Sequence, residues 1–102
     1  LLKPETINAF TAKQSANSRR GMGWDKPEMD KNRANPACDY ASEETFGHSG
    51  FTGTIVWADP KYDLIYVFLS NRVYPTQENR KLIEMGVRKN IMNAVYESFL
   101  FP

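Results

Sequence analysis

Phe46-Gly47-His48-Ser49-Gly50-Phe51-Thr52-Gly53-Thr54 leads directly into Ile55-Val56-Trp57-Ala58, then Asp59-Pro60-Lys61-Tyr62-Asp63, then Leu64-Ile65-Tyr66-Val67-Phe68-Leu69. The runs Thr54–Ala58 and Leu64–Leu69 are β-branched and aromatic, and the five residues between them are turn formers. That spacing predicts a β-hairpin. The second run is apolar at every position, and a strand with one wet face would alternate, so both faces of this hairpin are expected to be covered.

One cover lies further along. Val87, Ile91, Val95 and Phe99 recur every four residues, joined by Leu82, Ala94 and Met92, while Lys81, Arg88, Lys89, Asn93 and Glu97 fall on the other side. This is an amphipathic helix over 80–99, with Gly86 marking a bend. Upstream, Pro4 and Glu5 suit a first helical turn and predict a short helix over Pro4–Lys13, with residues 1–18 as helix and link. Arg20-Gly21-Met22-Gly23-Trp24-Asp25 alternates small and large residues and predicts a strand over 19–25. Residues 26–45 are rich in Pro, Asn, Asp and Lys and read as a long surface loop. The order is helix, strand, loop, hairpin (46–72) and helix. The fold class is therefore α+β, an antiparallel sheet with a C-terminal helix packed on it.

Composition removes several functions. Thirteen basic residues against twelve acidic ones leave a net charge of +1, no footprint for nucleic acid or an anionic membrane. Arg19-Arg20 is the one pair of adjacent arginines and reads as a solvated edge. No run of 18 apolar residues could span a membrane. Cys38 stands alone, with no His or Lys beside it to activate the thiol. One His, one Cys and scattered carboxylates give no metal-ligand spacing, and no phosphate loop or dinucleotide fingerprint occurs, so no metal or cofactor is expected. The chain starts at Leu1 in what reads as the approach to a helix, and so reads as part of something longer.

The segment around His48, the sole His, is where chemistry could reside. Glycines at 47, 50 and 53 mark places where another backbone can come close, and a His-Ser pair between them suits an open edge with amides turned toward a carbonyl. Spacing alone also allows the plainer reading, a glycine-rich strand start with a solvent-exposed His. Ser49 fails the nucleophile-elbow pattern, because position 51 is Phe.

Taken with Trp57-Ala58-Asp59-Pro60 and Leu64-Ile65-Tyr66-Val67-Phe68-Leu69-Ser70-Asn71-Arg72, this segment resembles the C-terminal end of the serine β-lactamase and penicillin-binding-protein family, which includes class C β-lactamases, DD-peptidases and related esterases. The wording is similar to β-lactamase-like modules of Bacteroides-type bacteria. In that family a Lys-Thr-Gly or His-[Ser/Thr]-Gly triplet lies on the sheet edge facing the nucleophile, and His48-Ser49-Gly50 matches it. The resemblance implies that His48 assists proton transfer or steers a substrate carboxylate. Ser49 and Thr52 would contact the substrate, Gly50 would let its backbone approach, and the Phe51 N–H would be one of two oxyanion donors. It also implies a periplasmic or extracellular location and a small acyl substrate: a β-lactam, a D-alanyl peptide or an ester.

The family's nucleophile motif, Ser-x-x-Lys, does not occur: none of Ser15, Ser18, Ser42, Ser49, Ser70 and Ser98 has Lys three residues on. Ser15-Ala16-Asn17 matches the letters of the family's second motif but follows the first helix, the wrong context. The chain is thus expected to be inactive alone and to need the N-terminal remainder of its own hydrolase domain as partner. In isolation it would expose apolar sheet surface and could form a homodimer. The competing expectation is a non-catalytic binding or structural module on the same fold.

Overall fold

A computed structural model describes all residues, Leu1–Pro102. Three antiparallel strands form one sheet in the order β1 (Phe46–Ser49), β2 (Ile55–Asp59), β3 (Leu64–Phe68). Helices lie at both ends: α1 (Pro4–Thr11), α2 (Lys81–Glu84) and α3 (Val87–Leu100). This is the α+β arrangement that the hairpin and the terminal periodicity call for. Between β2 and β3, Asp59 accepts from the Lys61 amide, Pro60–Tyr62 makes one 3₁₀ turn, and Asp63 closes it in the left-handed region that Asp tolerates.

The register sorts the side chains. Ser49, Ile55 and Phe68 share one face with Gly47, Trp57 and Tyr66. On that face Ile55, Trp57 and Tyr66 are buried against Met92 and Tyr96 of α3 and against Ala37, Cys38 and Ala41. Gly47 must be glycine, because a Cβ there would lie 2.0 Å from the Val56 carbonyl oxygen and 2.6 Å from the Trp57 ring. The opposite face carries His48, Val56, Ile65 and Val67, all exposed. The expectation of cover on both faces of the apolar run is therefore met on one side only within this chain.

Asp59 ties the layers together. Its buried carboxylate accepts from Ser42 Oγ at 2.6 Å, Ser42 N at 3.0 Å, Lys61 N at 3.1 Å and the Tyr96 hydroxyl at 2.6 Å. Burial pushes the Asp59 carboxyl up, but these bonds outweigh it and hold the group below the usual carboxylate range. Burial first, and the hydrogen bond to Asp59 second, push the Tyr96 phenol far up. A buried charge is tolerable here because its lone pairs are filled.

Several expectations need correction. No strand forms over 19–25; only Asp25 bridges to Gly47. Gly23 takes a left-handed φ of 72° and bends the segment, which turns Trp24 onto Phe46 in an edge-to-face pair at 5.2 Å. Arg19 is no solvated edge: it forms a two-pronged bond to Asp25, at 2.8 and 3.1 Å. The first helix stops at Thr11, because Ala12 is extended and Gln14 Nε2 donates to the Ala9 and Ala12 carbonyls. The last helix breaks in two at Gly86, which adopts φ 59°. Its fully buried residues are Met92, which was expected, and Tyr96, which was not; Val95 is partly buried against the core, while Ile91 and Phe99 are exposed. The polar side fastens the helix to residues 39–40: Lys89 pairs with Asp39 at 2.7 Å, Asn93 bonds Asp39, and Glu97 accepts from Tyr40. The stretch 26–45 lacks regular elements, as expected, but is more than surface, since Lys26, Ala37, Cys38, Ala41 and Thr45 are buried. Cys38 is a core residue whose thiol burial pushes up in pKa, the opposite of activation.

Candidate active site

β1 is an edge strand, and its outer side has been partly filled. Gly47 N donates to Asp25 O at 3.0 Å, and Asp25 N donates to Gly47 O at 2.8 Å. The Gly47 backbone therefore points away from β2. Strand alternation then turns Gly50 inward, where its amide donates to Thr54 O at 2.7 Å, and turns the Ser49 backbone outward beyond the end of the Asp25 bridge. The chain's own cover of this edge stops at Gly47.

His48 and Ser49 close the strand, and both are exposed. His48 Nδ1 lies 2.8 Å from the Ser49 carbonyl oxygen. A carbonyl can only accept, so this bond takes a proton on Nδ1 and leaves Nε2 with its lone pair in the neutral ring. Gly50, Phe51, Thr52 and Gly53 form a turn closed by Gly53 N donating to Gly50 O at 3.0 Å. The Phe51 amide takes part in none of the chain's hydrogen bonds and sits at an exposed residue. The structure thus brings His48, Ser49, Gly50, Phe51 and Thr52 to one rim, although the strand ends at Ser49 and the Phe51 amide belongs to the turn rather than to an extended edge.

The turn is braced from behind. Thr52 O accepts from the Arg72 amide at 2.9 Å and from Ser70 Oγ at 3.1 Å; Gly53 O accepts from the Arg88 guanidinium at 3.1 Å. The Arg72 guanidinium lies over the Phe51 ring, 4.9 Å from its centre. Gly53 holds φ 96°, and a Cβ there would come within 2.5 Å of Leu82 and 2.6 Å of Ser70 Oγ. Ser70 and Arg72 follow the hairpin and could have been suspected from adjacency; Arg88 lies 35 residues from Gly53 and gives no sequence signal.

The larger hollows of the chain lie away from the rim. A hollow of about 800 Å³ is lined by Lys26, Tyr40, Ser42 and Tyr62, away from residues 47–54. No group of three or more potential metal ligands converges anywhere. Ser15-Ala16-Asn17 lies in an exposed turn bridged from Ser15 to Ser18, with no relation to the rim. No helix is long and apolar enough to cross a membrane.

A family model described as Beta-lactamase matches residues 1–85. A Bacillus subtilis protein named N-acetylmuramyl-L-alanine amidase is 29% identical over 107 aligned residues, covering 96% of this chain and 24% of the relative. An Escherichia coli K12 protein, provisionally named D-alanyl-D-alanine carboxypeptidase, is 31% identical over 90 residues, covering 84% of this chain and 20% of the relative. A Salmonella gallinarum protein with the same provisional name is 29% identical over 82 residues, covering 80% and 19%. The chain thus spans about a quarter or less of the curated relatives it matches. No solved structure matches.

Proposed function

The chain belongs to the Beta-lactamase family, and from that premise we propose that it forms one wall of the active site of a serine acyl hydrolase, whose nucleophile lies elsewhere in the same polypeptide. The observation that carries this reading is the free rim beyond the Asp25 bridge: an exposed, unpaired Phe51 amide two residues from the Ser49 backbone, with the His48 ring anchored beside them. An edge strand that was only structural would gain by pairing or covering those groups.

In this reading a serine from the missing part attacks an acyl carbonyl. The carbonyl oxygen takes up negative charge and is held by the Phe51 N–H and a second amide. Collapse expels the amine or alcohol, and water then releases the acid and regenerates the serine. One such donor contributes about 10²–10³ in rate. His48 presents the Nε2 lone pair for proton transfer or, when both ring nitrogens are protonated, an Nε2–H for a substrate carboxylate; Ser49 Oγ and Thr52 hydrogen-bond the substrate, and Gly50 leaves space for its backbone. The names of the relatives point to amide bonds at alanine, a muramyl–L-alanine link in one and a D-alanyl-D-alanine end in the others; β-lactams and small esters share the acyl chemistry. Such substrates place the protein in the periplasm or outside the cell. The other partner is the remainder of the domain, lying over the open sheet face.

The full-length polypeptide, treated with a fluorescent penicillin and with a fluorophosphonate, is expected to form a covalent adduct with at least one of them. His48→Ala should slow acylation about 10²–10⁴-fold, the range for a lost proton-transfer group. A folded full-length protein that reacts with neither probe and binds cell-wall peptides without turnover would replace this reading with a non-catalytic module.

A further inference from the structure

Arg88 stands in the first turn of α3, where the Tyr66 hydroxyl donates to its carbonyl at 3.4 Å. Its half-buried guanidinium makes a single hydrogen bond, to the carbonyl of Gly53 at 3.1 Å. No carboxylate lies within ion-pair distance of Arg88, or of Arg72 nearby, although five ion pairs occur elsewhere in the chain. Burial, and then the Arg72 charge, push the Arg88 guanidinium down in pKa. A partly desolvated cation beside a like charge, without a counter-ion, is destabilising by itself. If its task were only to fill space against the turn, an apolar side chain would serve better.

The place of that charge suggests its use. Gly53 donates its own N–H to Gly50 O, and Gly50 donates to Thr54 O, so a group that fixes the Gly53 carbonyl fixes both ends of the turn that presents the Phe51 amide. We propose that Arg88 is a positioning residue for this turn: it holds the Gly53 carbonyl, sets the direction of the Phe51 N–H, and adds unneutralised positive charge next to where the oxyanion develops. The inference rests on the reading of Phe51 as an oxyanion donor. It adds that the final helix, which touches no reacting atom, acts on catalysis through one guanidinium. Preorganised charge at such a site favours the transition state more than the bound ground state.

The test uses the full-length polypeptide, single-turnover acylation by a fluorescent penicillin or a p-nitrophenyl ester, and amide hydrogen exchange. Arg88→Met is expected to slow acylation about ten- to a hundredfold, as for a catalytic group misplaced by about an ångström, with the concentration for half-saturation little changed. Arg88→Lys keeps the charge, loses the fork, and should recover part of the rate. The Gly50 and Gly53 amides, which are hydrogen-bonded within the turn, should exchange faster in the Met variant, while amides in the β2–β3 ladder stay as they were. Should Arg88→Met fail to fold, Arg88→Gln, which retains one donor, carries the same expectation. A folded variant that acylates at the wild-type rate, or that loses only affinity, overturns the positioning role. Wild-type protein that no probe acylates removes the oxyanion reading instead; unchanged Gly50 and Gly53 exchange would then remove the bracing role as well.

Discussion

The two faces of the sheet carry equally apolar side chains and have opposite fates. On one, Trp57 is 1% exposed and packs with Ile55, Tyr66, Met92 and Tyr96; on the other, Ile65 is 73% exposed and Val67 56%. Both sets come from the same two strands, in alternation. Apolar character therefore marks both faces for burial, and only one is buried by residues of this chain. The open face carries His48, while Ser49 beside it falls on the side of Ile55 and Trp57, so the candidate residues straddle the edge of the sheet at the end of β1.

That contrast can be broken or sharpened by experiment. The largest effect is expected from Trp57→Ala, a loss of about 3–5 kcal/mol by urea denaturation, since it empties the centre of the covered face. A loss below about 1 kcal/mol would mean that this face is not the core. Tyr96→Phe should cost about 1–3 kcal/mol, because it removes the 2.6 Å bond to Asp59 and leaves a buried carboxylate with one donor fewer.

Acid should act through the same residue, with smaller effect. The Asp59 carboxyl is depressed in the folded chain, so its ionised form contributes stability above the unfolded value of about 3.9, and that contribution is lost as pH falls through the lower folded value. Denaturation midpoints measured between pH 6 and pH 2 should fall on the acid side in the wild type. They should fall less steeply in Asp59→Asn; equal slopes would remove Asp59 from the account. The raised Tyr96 phenol has the opposite sign: it stabilises the fold at neutral pH and loses that contribution as pH rises past about 10, where the unfolded phenol ionises.

The smallest effect belongs to the open face. Val67→Thr in the 102-residue chain should change stability by no more than about 0.5 kcal/mol, while lowering the binding of apolar dyes and any self-association seen by light scattering. A loss as large as that of Trp57→Ala would show that the chain covers this face itself.

The hairpin, the terminal helix and the α+β class follow from the sequence because each rests on a period within one element: β-branched runs with a turn between, and apolar residues four apart. The glycines at 47 and 53 announced places of close approach, but what approaches came from the fold: the Val56 carbonyl and Trp57 ring at one, Leu82 and Ser70 at the other. What only the tertiary structure decided is which surfaces meet. Periodicity pointed to Val87, Ile91, Val95 and Phe99 with Met92 as the packed side of the last helix; Met92 is buried and Val95 partly so, but Ile91 and Phe99 are exposed and the buried partner of Met92 is Tyr96, which bonds Asp59. The residues of 19–25 alternate as a strand would, yet Gly23 bends them into a single bridge that fills half of an edge. Arg88 reaches Gly53 across 35 residues. Local patterns record what a segment can do with its neighbours in sequence; a buried charge, a left-handed glycine or a guanidinium on a remote carbonyl depends on partners that only folding brings within reach.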